Sequence, residues 1–112
     1  MKWCALALAG VALAAQPVTT AGITGTVVDA LGGPVIAAKL SLHGQQTRLY
    51  VSKTSEQGHF RFARIEPGRY VLAIEEPGFC PLEIRDLAVQ PGAELKLARI
   101  VLPSAPEGQN CP

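Results

Sequence analysis

Residues 56–70 are EQGHFRFARIEPGRY, a stretch compatible with two different structures. Phe60 and Phe62 could be rings on which nucleic-acid bases stack, with the nearby arginines holding phosphates. The RNA-recognition motif, however, requires an aromatic residue directly after its glycine, whereas His59 follows Gly58 here. The alternation of apolar and polar residues is typical of a β-strand that begins after a turn. The stretch therefore predicts a core strand with both phenylalanines pointing inward.

The composition is that of one globular domain with a small net charge. The chain has 112 residues, of which 48% are hydrophobic, and its formal net charge is +1. A charge so close to zero provides no general attraction for nucleic acid or an anionic membrane, for which a strongly basic domain is expected. We therefore expect no nucleic-acid partner.

The first 21 residues, MKWCALALAGVALAAQPVTTA, have the organisation of a secretory signal peptide. Lys2 precedes an apolar run over residues 3–15, within which an A-x-A cleavage pattern ends at Ala14. The run is too short to span a bilayer, which takes about 20 residues. We expect export, with cleavage after Ala14 or after Ala21. The domain is then secreted or periplasmic and not membrane-spanning.

Export determines how the cysteines are interpreted. Cys4 lies ahead of the apolar run and leaves with the signal peptide, so Cys80 and Cys111 remain. An even number of cysteines in an oxidising compartment predicts a disulfide, the alternative being two free thiols. The cysteines and histidines show no zinc-site spacing, and we expect neither a metal nor another cofactor.

The remaining sequence predicts an antiparallel β-sandwich. Short runs of alternating or β-branched residues recur about every ten residues between Gly and Pro signals, without helical spacing. Seven strands are predicted, at residues 23–29, 36–43, 47–54, 59–64, 69–75, 81–89 and 93–102. The sixth strand requires a β-bulge near Asp86 to keep its apolar residues on one face.

The predicted core is sufficient for one sandwich and leaves no volume for a large enclosed cofactor. In the third strand Leu49 and Val51 are predicted to point inward, with Arg48, Tyr50 and Ser52 outward. The full inward set is Ile23, Val27, Leu40, Leu42, Leu49, Val51, Phe60, Phe62, Ile65, Tyr70, Leu72, Ile74, Leu82, Ile84, Leu95 and Leu97.

Three segments carry a family resemblance: GTVVDALGGPVIAAKLSL at 25–42, TSEQGHFRF at 54–62 and IEPGRYVLAIEEPGF at 65–79. They resemble the carboxypeptidase regulatory-like domain, a prealbumin-like Greek-key sandwich that is also grouped with carbohydrate-binding-like folds. The resemblance covers residues 22–102 and leaves 103–112 as an irregular tail unless Cys111 holds it. It implies a stand-alone, exported form of this domain.

Most matched positions are turn residues with a structural explanation of their own. Asp29 can accept hydrogen bonds from nearby turn amides, and Pro67 with Gly68 forms a tight turn. The chain has Ala37 and Ser55 where the family usually has Gly and Asp. The turn residues that we expect to determine the fold are Asp29, Gly32, Pro34, Gly58, Pro67, Gly68 and Gly78.

We find no catalytic constellation in the sequence. His43 and His59 are predicted on outward faces, and the nucleophile, zinc-protease and phosphate-loop motifs are absent. The peptidases that give the family its name carry their zinc site in a separate catalytic domain. The related hydroxyisourate hydrolases end in Tyr-Arg-Gly-Ser, whereas this chain ends QNCP. We therefore expect a non-catalytic protein.

Two functions remain open. The first is an accessory structural or protein-interaction module, with a candidate binding face at Arg48, Tyr50, Arg61 and Arg69, because interfaces favour Tyr and Arg. The second is a carbohydrate-binding module of the envelope or extracellular space, with Tyr50 as its ring platform. The partner is accordingly an unknown protein or a polysaccharide.

Overall fold

The computed structural model describes residues 20–45, 48–105 and 111. The predicted signal peptide lies outside the described residues up to residue 19, as do tail residues 106–110 and 112. The described residues form eight β-strands and no α-helix. In chain order these are β1 Ala21–Val28, β2 Lys39–Gly44, β3 Leu49–Lys53, β4 His59–Ile65, β5 Gly68–Glu75, β6 Leu82–Val89, β7 Glu94–Lys96 and β8 Ile100–Val101.

The strands form two four-stranded sheets that enclose the core between them. Sheet I has the order β4-β1-β7, with β8 also paired to β1, and sheet II has the order β3-β2-β5-β6. This is the predicted all-β sandwich. The last strand differs from the prediction, because β7 and β8 are separate strands and both pair with β1 in parallel rather than antiparallel.

A one-residue shift in register explains why the last strand is divided. Thr24 pairs with Lys96, whereas Val27 pairs with Ile100, so one extra residue is accommodated between the two pairs. Uninterrupted alternation from Leu95 would point Arg99 into the core. With the shift, Ile100 is buried and Arg99 remains exposed.

Most of the predicted core is confirmed. The buried cluster comprises Ala21, Ile23, Val27, Val35, Ala38, Leu40, Leu42, Phe60, Phe62, Ile65, Tyr70, Leu72, Ile74, Val89, Ile100 and Leu102. Four predicted core residues are only half-buried against this cluster, namely Leu82, Ile84, Leu95 and Leu97. They lie on β6 and on the last part of sheet I, at the outer edges of the two sheets.

The predicted orientation of β3 is wrong. Leu42 pairs with Tyr50, and cross-strand partners point to the same face. Since Leu42 is fully buried, Tyr50 faces the core, and Leu49 and Val51 point outward with exposed fractions of 57% and 63%. The Tyr50 ring packs edge-on against Tyr70, with centroids 6.1 Å apart. Burying the larger ring against Tyr70 outweighs exposing two aliphatic side chains.

The predicted bulge in β6 is confirmed. Tyr70 pairs with Leu87 and Leu72 with Ile84, so Val71 lies opposite two residues, of which Asp86 has a φ of 61°. A second bulge, which we did not predict, lies in β4, where Arg64 has a φ of 59°. Each bulge restores the inward alternation of the residues that follow it.

The turns depend on specific side chains and close backbone contacts. Asp29 Oδ1 accepts the amide hydrogens of Leu31 and Gly33, each at 2.9 Å. Gly58 has a φ of 79°, and a Cβ at this position would lie 2.5 Å from the carbonyl oxygen of Val27. Gly58 therefore permits the close approach of the β4 start to β1.

The C-terminal segment is attached to the sandwich as far as it is described. Cys80 and Cys111 form a disulfide with a Cα–Cα distance of 5.4 Å. Phe79 and Ser104 form an isolated β-bridge, and the Cys80 amide donates to the Pro103 carbonyl oxygen at 2.7 Å. Residues 103–105 therefore follow the edge of the fold instead of leaving it. Within the described residues, no helix is long and apolar enough to cross a membrane.

Candidate functional site

The four residues of the predicted binding face do not share one face. Arg48 and Arg69 line a small cleft of about 150 Å³ at the end of sheet II. Arg48 Nη2 lies 2.7 Å from Glu66 Oε2 in this cleft. Arg61 is on β4 of sheet I, and Tyr50 is half-buried between the sheets.

Tyr50 instead belongs to a partly buried polar cluster. The Tyr70 hydroxyl donates to the Glu66 carbonyl oxygen, and the Glu66 amide donates to the Tyr50 hydroxyl at 3.2 Å. Burial, reinforced by the neighbouring Tyr50 and the Glu66 carboxylate, raises the pKa of Tyr70 to about 12. Both hydroxyls thus have partners, and their role is to hold β3 and the β4–β5 turn together.

His43 and His59 lie on the outer faces of different sheets. His43 pairs with Leu49 and Val71 in sheet II, whereas His59 pairs with Thr26 in sheet I. The described residues contain no group of three or more His, Cys, Asp or Glu side chains placed to hold a metal ion. The two histidines therefore cannot act on one substrate within one copy of the chain.

The outer face of sheet II has an apolar centre. Val51 lies beside Ser41, which lies beside Ala73, and Leu49 is linked through His43 to Val71. We call this the aliphatic face, defined by Ser41, Leu49, Val51, Val71 and Ala73. Charged residues border it: Lys53, Lys39 and Glu75 form the cross-strand row at one end, and Glu83 lies beside Ala73 on β6.

The outer face of sheet I forms an open cleft of about 690 Å³. The register places Arg61 and Lys96 on either side of Thr24, and His59 beside Thr26. We call this the cationic cleft, defined by these five residues. Ser52 and Lys53 lie at its margin, where β3 approaches β4, and none of the residues that line it is acidic.

One carboxylate lies next to the cationic cleft without lining it. Glu94 Oε1 is 3.6 Å from Arg61 Nη2, and both side chains are exposed. An exposed ion pair at that distance is weak, so the Arg61 guanidinium remains available to another anion.

The sequence did not predict the cationic cleft as a site. Arg61 was included in the candidate face, but Thr24, Thr26 and Lys96 were not. These residues come from separate strands, and only the parallel pairing of β7 with β1 brings Lys96 next to Thr24. The sequence does place polar residues of β1 and β7 outward, but this pattern does not show that the two strands pair with each other.

Solved structures share the fold at low sequence identity. A Bacteroides uniformis protein proposed to bind carbohydrate is 18% identical, with a TM-score of 0.61, over 74% of this chain and 41% of that one. A chain of a type II cohesin–X-dockerin complex from Acetivibrio cellulolyticus is 18% identical, with a TM-score of 0.56, over 72% and 56%. Hydroxyquinol 1,2-dioxygenase from Pseudomonas putida is 12% identical, with a TM-score of 0.62, over 80% and 58%.

These likenesses establish a common fold and no common activity. This chain spans about half the length of the solved structures that it matches. The comparison with curated proteins found no match. The family model for the carboxypeptidase regulatory-like domain matches residues 22–103, which is most of the chain. The protein therefore belongs to the carboxypeptidase regulatory-like domain family.

Proposed function

We propose that the chain is an exported, non-catalytic module that binds a protein partner through the aliphatic face. The observation that carries the proposal is the orientation of β3, which exposes Leu49 and Val51 side by side. Single exposed aliphatic residues are common on protein surfaces, but neighbouring ones within a charged border are typical of interaction sites.

Two small residues continue this patch across β2 and β5, while the exposed His43 separates Leu49 from Val71. Ser41 and Ala73 are small and half-buried, so they form a flat floor between Val51 and the charged border. Lys39 and Lys53 lie on one side of the patch. A complementary partner has an apolar patch with acidic groups on the side that meets these two lysines.

The two edges of sheet II are less suited to binding than its outer face. The Ser52 hydroxyl donates to the Arg61 carbonyl oxygen at 3.1 Å, which links the β3 edge to β4. The bulge at Asp86 interrupts the β6 edge. Both features oppose the addition of a further strand, so a partner is expected on the face of sheet II.

Because β3 is oriented this way, the Tyr50 ring faces the core and does not lie on the outer surface as predicted for sugar binding. Phe60, Phe62 and Tyr70 are buried, and Tyr50 and Phe79 are half-buried against the core. Within the described ranges no phenylalanine or tyrosine is fully exposed, so a neutral sugar has no fully open ring of these types on which to stack. This favours a protein partner over the ring-stacking carbohydrate module.

The test is site-specific photo-cross-linking in the native host. A photoreactive residue at position 51 is compared with one at position 31, where Leu31 is 97% exposed on a turn away from the patch. We expect one protein adduct from position 51 that disappears when Leu49→Ser is added. Equal adducts from both positions, or none from position 51, would contradict the proposal.

Folding of the cross-linking variants needs its own control. Leu49→Ser changes an outward side chain, so its midpoint of unfolding should match that of Leu31→Ser. Loss of the adduct without loss of stability then reports the contact itself.

A further inference from the structure

The cationic cleft lies on sheet I, on the far side of the core from the aliphatic face, and shares Lys53 at its margin with the surface proposed for the protein partner. Its volume of about 690 Å³ is within the range of ligand sites in proteins, roughly 300 to 1,000 Å³. It is larger than the cleft of about 150 Å³ at Arg48 and Arg69. A cleft of this size is a candidate ligand site of its own.

The cleft alternates cationic and hydroxyl groups across three strands. Arg61, Thr24 and Lys96 form one cross-strand row, and His59 with Thr26 forms the next. With neighbouring strands about 4.8 Å apart, the backbones that carry Arg61 and Lys96 are about 10 Å apart. An extended anionic chain can therefore contact both cations while the threonine hydroxyls face its middle.

This set of groups matches an acidic sugar chain. Arginine and lysine bind carboxylate or sulfate groups through charge-assisted hydrogen bonds. The hydroxyls of Thr24 and Thr26 can donate to, and accept from, the hydroxyl groups of a sugar. A neutral sugar gains nothing from the cations, and the ring of Phe60, which lines the cleft, is buried.

Nucleic acid fits the cleft less well. Binding of single strands relies on exposed aromatic rings that stack the bases, and Phe60, the aromatic residue among those that line the cleft, is buried. The net charge of +1 also provides no wider basic surface along which a phosphate backbone could continue.

We infer that the cationic cleft binds a linear acidic polysaccharide through Arg61 and Lys96, with Thr24 and Thr26 contacting its hydroxyl groups. Apart from Lys53 at its margin, the site is separate from the surface proposed for the protein partner on sheet II. A module with both sites links a protein to an acidic matrix.

Affinity electrophoresis in gels that contain a defined polymer tests this inference on the exported chain. The polymers are polygalacturonate for carboxylate groups, dextran sulfate for sulfate groups, and neutral dextran as the control. We expect retardation by at least one acidic polymer, none by dextran, and weaker binding as salt is raised. Which acidic polymer retards the chain identifies the anionic group.

Charge-matched variants locate the site. Arg61→Gln with Lys96→Gln should weaken binding about tenfold, since each exposed ionic contact contributes a factor of a few. The controls are Arg69→Gln with Arg85→Gln, which remove the same charge from sheet II. Lys53 lies at the margin of both surfaces and is left unchanged.

A variant that binds more tightly provides stronger evidence for the site, because misfolding would weaken binding. Glu94 lies beside Arg61, so Glu94→Gln should strengthen binding to the acidic polymer two- to threefold by removing a competing carboxylate. Thr24→Val with Thr26→Val keeps the charge and should weaken binding.

Four results would overturn the inference. They are equal retardation by neutral dextran, no loss in the double Arg61/Lys96 variant, an equal loss in the Arg69/Arg85 control, and stronger retardation by single-stranded DNA. The first, second and fourth reject the ligand or the site directly. The third indicates attraction by net charge alone.

Discussion

The two outer faces of the sandwich are built by the same alternation of side chains, yet they have opposite chemistry. On sheet I, outward residues of β1, β4 and β7 place hydroxyl groups and cations around an open cleft, with Glu94 beside it. On sheet II the outward positions of β3 and β5 carry aliphatic side chains, with charges only at the border. The shared core requires only that alternate residues be apolar, so each outward set is free to serve a different ligand.

The difference between the two outer faces depends on two local contacts. In sheet I, Gly58 lets β4 approach β1, which aligns Arg61 with Thr24. In sheet II, Tyr50 and Tyr70 hold β3 so that Leu49 and Val51 face outward. Disrupting one of these contacts should alter one face before the other.

Gly58→Ala should have the largest effect. The added Cβ would meet the Val27 carbonyl oxygen at 2.5 Å, at a residue with a φ of 79°. We expect the free energy of unfolding to fall by about 3 kcal/mol, since strain of this kind and a steric clash act together. Urea denaturation measures it. The control is Gly32→Ala, with a φ of 88° and no atom within 4 Å of the added Cβ, which should lose only about 1 kcal/mol.

Alkaline pH should weaken the contact between Tyr50 and Tyr70 that holds β3 in place. The pKa of Tyr70 is raised from 10.0 to about 12, so the folded state keeps the phenolic proton more tightly than the unfolded state. The associated stability is fully present below pH 10 and is lost as the pH rises towards 12. We expect a loss on the order of 2 kcal/mol over that window.

The control for this pH dependence is Tyr70→Phe. The variant loses the hydrogen bond to Glu66, so it should be less stable at neutral pH, but it has no phenolic proton at residue 70. Its free energy of unfolding should therefore fall less steeply above pH 10 than that of the native chain. Parallel profiles would show that Tyr70 is not the responsible group.

Ala37→Gly should have the smallest effect and the opposite sign. Ala37 has a φ of 61°, and the family usually has glycine at this position. Glycine relieves the left-handed strain, so the free energy of unfolding should rise by about 1 kcal/mol. Because residue 37 contributes to neither face, binding at both should be unchanged. A midpoint of unfolding at or below the native value would contradict this explanation.

The sequence predicted the orientation of β4 correctly because its alternation is unambiguous. Phe60 and Phe62 are strongly apolar, while His59 and Arg61 are polar, so only one face can enter the core. In β3 both alternating sets contain apolar groups. The large ring of Tyr50 had to be compared with Leu49 and Val51, and its partner Tyr70 could not be identified without the fold.

The candidate site was harder to predict than the fold for a similar reason. The β6 bulge near Asp86 followed from the spacing of apolar residues within one segment. The Arg61–Thr24–Lys96 row depends on the pairing of three segments that are distant in the sequence. The register shift that separates β7 from β8 is likewise a tertiary effect, since it serves to bury Ile100.

The orientation of β3 creates the aliphatic face and removes Tyr50 from the outer surface. The most direct test compares the stability of Tyr50→Ala with that of Leu49→Ala in urea. We predict a loss of about 2 kcal/mol for Tyr50→Ala, whose half-buried ring packs on Tyr70, and less than about 0.5 kcal/mol for Leu49→Ala. The reverse order would place Leu49 in the core and contradict the account.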